Sequence, residues 1–424
     1  MQRKLLESIA ASTDELVALC RDLCRINTVN PYSGDRNPGG ELAGQEYLAP
    51  ILEGLGARVS LLPCPDDIYS RMDVLGPADR DFSNRPNLVA EFDFAGEGPR
   101  IVLNGHMDTV GIDGMQIDPL GAEVRDGRIW SRGTSDCKGG ITTAVSALRA
   151  LLAMEVPLKG SVVFESVVDE ECNGSGAGTL ACLDAGYTGD AAVFVDGNAG
   201  AMVLGCSGCL TADLHVEGKE GHAAYGNGIS AIDKALVAKA AVDRLKAERE
   251  SARPQARVNL GIFHSGVHPA VIPGRAYLSF NCVYEVDEAQ SALEQTGVWG
   301  AAPIRDGFEA MLQQAQAGDQ WLTEHPVRLT WVKDLVPFLE PADLPLLSDL
   351  EAAYRAVLGE DPQRANMVGW SDASYPSSLA KIPTILYGPG VEGKAHSQDE
   401  YVEIDNLVRC TQVLAVYLLG QLGA

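Results

Sequence analysis

Seven side chains of catalytic type recur in short blocks along this sequence. His106 and Asp108 stand two apart, Asp136 lies in the glycine-rich run SRGTSDCKGG, and Glu170 and Glu171 are adjacent; Asp196 precedes a glycine, and His396 follows a Gly-Pro-Gly loop. Two histidines and several carboxylates form a nitrogen and oxygen donor set that needs no cysteine. Such a set suits Zn, Mn or Co, and a carboxylate can bridge two ions about 3.5–4 Å apart. Residues two apart on an extended segment share a face, so Asp108 can hold the His106 imidazole through its carboxylate. The side chains of Glu170 and Glu171 diverge, so one can ligate a metal while the other reaches a water as general base.

The elements that must carry these residues alternate. Apolar runs of strand length at 101–104, 161–168, 191–195 and 383–387 each end in polar residues of catalytic type, and helical periodicity follows. That alternation is the signature of an α/β sheet, whose ligands bind beyond the carboxyl ends of the strands. Four strands ending this way point to one shared site. The glycine-rich turn around Asp136 opens a helix over 141–154, and a carboxylate beside a helix amino terminus is favoured. Between about 206 and 334 the character changes to a strand at 210–216, a helix at 230–249, strands at 258–263 and 276–284, a helix at 306–321 and a strand at 327–333. This order predicts a small four-stranded α+β insertion, with the first domain at 1–204, the insertion at 205–334 and the return at 335–424.

A chain of 424 residues exceeds the size at which one core stops growing, in keeping with two domains. The formal net charge of −25 argues against binding nucleic acid or an anionic membrane, whose phosphates would be repelled. No apolar run is long enough for a transmembrane helix, and the acidic interruptions at Glu7, Asp14 and Glu15 are unlike a signal peptide, so the expected location is cytoplasmic. Ten scattered cysteines read as reduced thiols, and the lone Cys206-x-x-Cys209 reads as structural because no second pair accompanies it. Residues 174–178 (GSGAG) lack the Lys-Ser/Thr of a phosphate loop and read as a helix-entry turn.

Taken together, five blocks in order resemble the M20 metallopeptidases and amidohydrolases, among them acetylornithine deacetylase and succinyl-diaminopimelate desuccinylase. They are residues 104–110 (NGHMDTV), 132–140 (RGTSDCKGG), 169–171 (DEE), Asp196 and 395–401 (AHSQDEY). The resemblance implies a mixed-sheet di-metal hydrolase domain of the aminopeptidase-like type with an inserted lid and dimerisation domain. It further implies His106 and Asp196 on one divalent ion, Glu171 and His396 on the other, Asp136 bridging, and Glu170 as the base. Zn is the expected metal, with Co or Mn as alternatives. In dimeric members a histidine of the insertion reaches the partner's site to stabilise the oxyanion; His222, in Gly221-His222-Ala223-Ala224, occupies that place and implies a homodimer.

One departure bears on the substrate. The family often has Asn before Val-Ile-Pro and, about ten residues after the Pro, an Arg that binds a substrate carboxylate; this chain has Ala270 and Val283 there. A valine cannot form a bidentate clamp, so either the substrate lacks that group or another residue, such as Arg275 or Lys394, binds it. Asp372, in Gly-Trp-Ser-Asp-Ala, resembles a loop near the pocket. The expected reaction is removal of an acyl group from an N-acyl amino acid or related amine. The alternatives are hydrolysis of a non-peptidic C–N bond, such as an aryl amine or carbamoyl group, and a non-catalytic metal-binding role, against which an intact Glu170 argues. The remaining histidines, His215, His264, His268 and His325, read as structural or surface residues.

Overall fold

The structure, a computed structural model, describes residues 1–78, 80–171 and 174–423. Its main sheet has nine strands, with Ser161–Val167, Arg100–His106, Ala191–Phe194 and Thr384–Leu386 side by side and parallel. Asn87–Asp93 and then Arg58–Leu62 extend one side antiparallel, while Ala201–Cys206 carries Phe338–Leu339 antiparallel and Gln363–Met367 parallel on the other. Both faces of the parallel strands are covered, which is why 162–164 (VVF) reads as an unbroken apolar run and is fully buried. Helices Gln2–Ala11, Thr13–Arg25, Leu42–Gly54, Lys138–Leu152, Pro345–Leu358 and Ile404–Leu422 pack on Leu103, Phe164 and Val193 on one face. Helix Ala177–Asp184 helps cover Val102, Val163 and Phe194 on the other.

Helix Lys138–Leu152 begins so close to the sheet that a Cβ at Gly140 would overlap the Val195 carbonyl. Only glycine allows that approach, and it sets the helix amino terminus against the strand ends. Gly176, at φ +61°, precedes helix Ala177–Asp184, as a helix-entry turn requires.

Beyond Ser207 the chain enters a second, four-stranded antiparallel sheet in the order Val258–Ser265, Arg275–Tyr284, Gly208–Glu217, Arg328–Leu335. One of its faces, with Leu210, Leu214, Leu278 and Phe280, packs under helices Ala231–Ala252 and Ala302–Gln316. The architecture is an α/β domain with a mixed sheet and an inserted four-stranded α+β lid. Strand Ala201–Cys206 runs in the main sheet to its last residue, so Cys206 and Cys209 belong to different sheets, and every described cysteine is a free thiol. Where one helix was expected over 306–321 there are two, Ala302–Gln316 and Gln320–Glu324, because Gly318 interrupts and the Asp319 carboxylate caps the second by accepting from Leu322 N. A further helix, Val286–Thr296, starts at a capping box of Glu285 and Glu288 and stops at Gly297.

Candidate metal centre

The strand-end residues converge. Asp136 lies between the two histidines, its Oδ1 2.8 Å from His106 Nε2 and its Oδ2 3.2 Å from His396 Nε2. His396 Nε2 is also 2.9 Å from Glu171 Oε2. Ligand atoms of His106, Asp136 and Glu171 lie within 4.8 Å of one another, as do those of His106, Cys137 and Asp196. A carboxylate with one oxygen toward each imidazole has the shape of a bridge between two cations.

Each side chain is held by something the motifs do not name. The His106 Nδ1–H donates to the main-chain carbonyl of Asp108 at 2.9 Å, which leaves Nε2 to carry the lone pair in the neutral ring. The Asp108 carboxylate stands beside the same nitrogen, its Oδ1 3.6 Å away. The strand ends at His106, and the chain turns so that the carboxylate also accepts from Glu170 N, Glu171 N and the Asn30 amide. Asp136 is fixed from behind by Glu400, which accepts from Ser135 N at 2.8 Å and from Arg132 at 2.6 Å. Contact between residues 197–198 and Gly390 brings the loop toward His396 alongside Asp196. His396 sits at φ +60° and Asp169 at φ +63°, backbone conformations that non-glycine residues adopt where surrounding contacts enforce them. Around Asp169 these contacts are Asn30, Tyr69 and Arg85, and Arg85 also binds Glu41 through two hydrogen bonds. Asn30, Glu41, Tyr69 and Arg85 were not singled out in the sequence; they lie 50 or more positions from the blocks they support and carry no local pattern.

The electrostatics of the cluster favour positive charge. Burial pushes Glu171 up to about 7, helped by Asp136, and Asp196 likewise up to about 7. Glu170 is raised well above the usual carboxylate range by burial and by Glu171. Hydrogen bonds to Asp136 and Glu171 push His396 up to about 11. Asp136 is held low, since its bonds to His106 and His396 outweigh its burial. Crowding of this kind is relieved by protons or by cations, and nitrogen and oxygen donors at these positions fit divalent ones.

Other candidates lie apart from this cluster. Asp372 is buried behind it, bonded by the Thr179 hydroxyl and raised by burial to about 6. Lys394 pairs with Asp399 at 2.7 Å. Arg275 is exposed at the far end of the strand that carries Val283. His222 is exposed on the lid, its Nδ1 accepting from Ala224 N and its ring against Tyr225. Residues Cys172 and Asn173, beside the Glu170–Glu171 pair, lie outside the described residues.

A nitrogen and carboxylate cluster at the ends of parallel strands, beneath a lid, defines a metal-dependent hydrolase. Residues 102–420 match the model of peptidase family M20/M25/M40, and the chain belongs to that family. It is 28% identical to an N-formyl-4-amino-5-aminomethyl-2-methylpyrimidine deformylase of Halalkalibacterium halodurans, over 98% of this chain and 96% of that one. It is also 28% identical to a succinyl-diaminopimelate desuccinylase of Rhodospirillum centenum, over 95% and 96%. A dinuclear metal-binding M20 peptidase of Bacillus subtilis shares the fold, with a TM-score of 0.61 at 16% identity over 97% of this chain and 99% of that one.

Proposed function

We propose that the protein removes a small acyl group from an N-acylated amine, with His106, Asp196, Asp136, Glu171 and His396 holding two divalent ions, Zn foremost and Co or Mn as alternatives. The observation that carries this reading is the Asp136 carboxylate placed between two imidazoles, with Glu170 half-buried beside them. Bound there, two such ions supply Lewis acidity to the scissile carbonyl and acidify the attacking water. The Glu170 carboxylate, close to His106 and Glu171, would take the proton of that water and return it to the departing amine nitrogen. Asp108 orients Glu170 and Glu171 through their amides and His106 through its carbonyl. The names of the relatives, a deformylase and a desuccinylase, support an acyl group of a few atoms.

The proposal extends to a homodimer in which His222 of one protomer serves the oxyanion in the other, supported by its exposure on the lid. A cytoplasmic location is supported by the free buried thiols, and among the described residues no helix is long and apolar enough to cross a membrane. The test is turnover of N-formyl, N-acetyl, N-succinyl and dipeptide substrates by protein loaded with Zn, Co or Mn. Hydrolysis that a chelator abolishes and metal restores is the expected result; no metal-stimulated cleavage of any amide removes the reading.

A further inference from the structure

One sulfur stands among the nitrogen and oxygen donors at the strand ends. Cys137 Sγ and the ligand atoms of His106 and Asp196, the pair assigned to one ion, all lie within 4.8 Å of one another. Donors around a tetrahedral zinc stand roughly 3.3–3.7 Å apart, so these three close on an ion through shifts of about 1 Å, within reach of side-chain rotation. Among the described residues no other cysteine belongs to a group of this kind.

The local structure turns this sulfur toward the cluster. Cys137 follows Asp136 and is the amino-terminal cap of the 15-residue helix Lys138–Leu152. A capping side chain ordinarily accepts a bond from the first turn, as Ser230 and Asp319 do for their helices. The Cys137 side chain makes no such bond. It still lies at the positive end of the helix, which favours the thiolate, the form of cysteine that binds metal. Cys137 is fully buried, and its thiol reaches the Val195 carbonyl only at 3.9 Å, a distance that leaves this hydrogen bond weak. A Cβ at Gly105 would stand 3.3 Å from Sγ, so the glycine of the His106 block leaves the sulfur its room. The charged groups that act on Cys137 are His106, Asp196 and Asp136, which are the ligands proposed for that ion.

We propose that Cys137 is a ligand of the ion held by His106 and Asp196, so that a site containing sulfur adjoins the nitrogen and oxygen site of Glu171 and His396. As the bond from sulfur to metal forms, the thiol proton leaves to solvent, and no electrons are transferred. The assignment rests on the two-ion reading of the centre and adds the choice of metal: a thiolate is a soft donor, which favours Zn and disfavours Mn.

The test replaces zinc with cobalt, whose visible d–d bands report binding and whose near-ultraviolet charge-transfer band reports a thiolate ligand. Cobalt-loaded wild type is expected to show both, and Cys137→Ser should keep the visible bands and lose the ultraviolet one. X-ray absorption of the zinc-loaded wild type, which needs no variant, should find about half a sulfur per zinc at about 2.3 Å. In competition titrations Cys137→Ser should lose about tenfold of the wild-type preference for Zn over Mn. Visible bands without the ultraviolet band, an ultraviolet band that survives Cys137→Ser, or a zinc shell of nitrogen and oxygen alone overturns the sulfur ligand and leaves the two-ion reading standing. A preference for Zn over Mn unchanged in Cys137→Ser overturns the claim on metal choice. If the wild type retains neither cobalt nor zinc, the two-ion reading and the sulfur ligand fall together.

Discussion

In the main sheet, strands Arg100–His106 and Ser161–Val167 are buried on both faces, whereas Gly208–Glu217 and Arg275–Tyr284 of the lid alternate buried and half-buried residues along their length. The difference decides where each region can carry chemistry. Strands sandwiched between helices have no open face, so polar side chains collect at their carboxyl ends and appear as compact sequence blocks. A sheet with one open face spreads its polar residues over neighbouring strands, and residues paired side by side, such as Thr211 and Asn281, are 70 positions apart in the chain. The first region advertises its function, and the second conceals it.

The largest expected effect tests the strand-end half of the contrast. Glu170→Ala should lower kcat by about 10²–10⁴-fold while elemental analysis finds the metal content of the wild type, because the base is lost and the ligands remain. Equal activity in this variant removes Glu170 from the proton transfer.

Next comes the lid core. Phe308 is fully buried, 4.7 Å from the Phe280 ring and 5.8 Å from that of Trp331, so Phe308→Ala should destabilise the protein by about 3–5 kcal/mol in urea unfolding. If the lid transition shifts while that of the catalytic domain stays, the two regions unfold separately; a single shifted transition joins them.

A smaller effect probes the support beneath the blocks. Asn30 donates to Asp108 at 2.8 Å and to Asp169 at 3.3 Å, so Asn30→Leu should weaken Zn or Co binding about 10–100-fold in a competition titration. Affinity equal to wild type shows that the blocks hold their own geometry.

The smallest concerns a carboxyl group buried inside the sandwiched sheet. Burial pushes Glu165 up to about 8, even though the Asn104 amide donates to it at 2.8 Å. Its unfolded-state value lies near 4.5, so between these values the native state holds a proton that the unfolded chain has released. Stability should therefore fall as pH rises through this window, by roughly 1 kcal/mol per unit from this group. Glu165→Gln, which keeps an acceptor for Asn104, should flatten the urea midpoint between pH 5 and 8; a slope unchanged from wild type assigns the dependence to other groups.

Much of the site is legible in the chain because the residues that end parallel strands are contiguous. The His106–Asp108 block, the Asp136 turn, the Glu170–Glu171 pair and His396 can be read one by one, and their order is enough to indicate the family. Reading stops where a role depends on direction rather than spacing. The two-residue step from His106 to Asp108 suggests a carboxylate facing the ring, and it does stand 3.6 Å from Nδ1, but the strand has already ended and the Asp108 carbonyl comes closer, at 2.9 Å. Helix Val286–Thr296 carries no signal that sets it apart between strand Arg275–Tyr284 and helix Ala302–Gln316, and the break at Gly318 is too short to interrupt the periodicity.

What the sequence by itself determined is the α/β alternation, the inserted four-stranded segment and the donor set, since each follows from local periodicity or from residues a few positions apart. Only the tertiary structure decided that Asp136 lies between two imidazoles, that Glu400 and Asn30 brace the centre, and that the Cys137 sulfur stands with His106 and Asp196. The physical reason is that hydrogen bonds and charges act over a few ångströms of space, and strand pairing is what brings residues remote in the chain within that range.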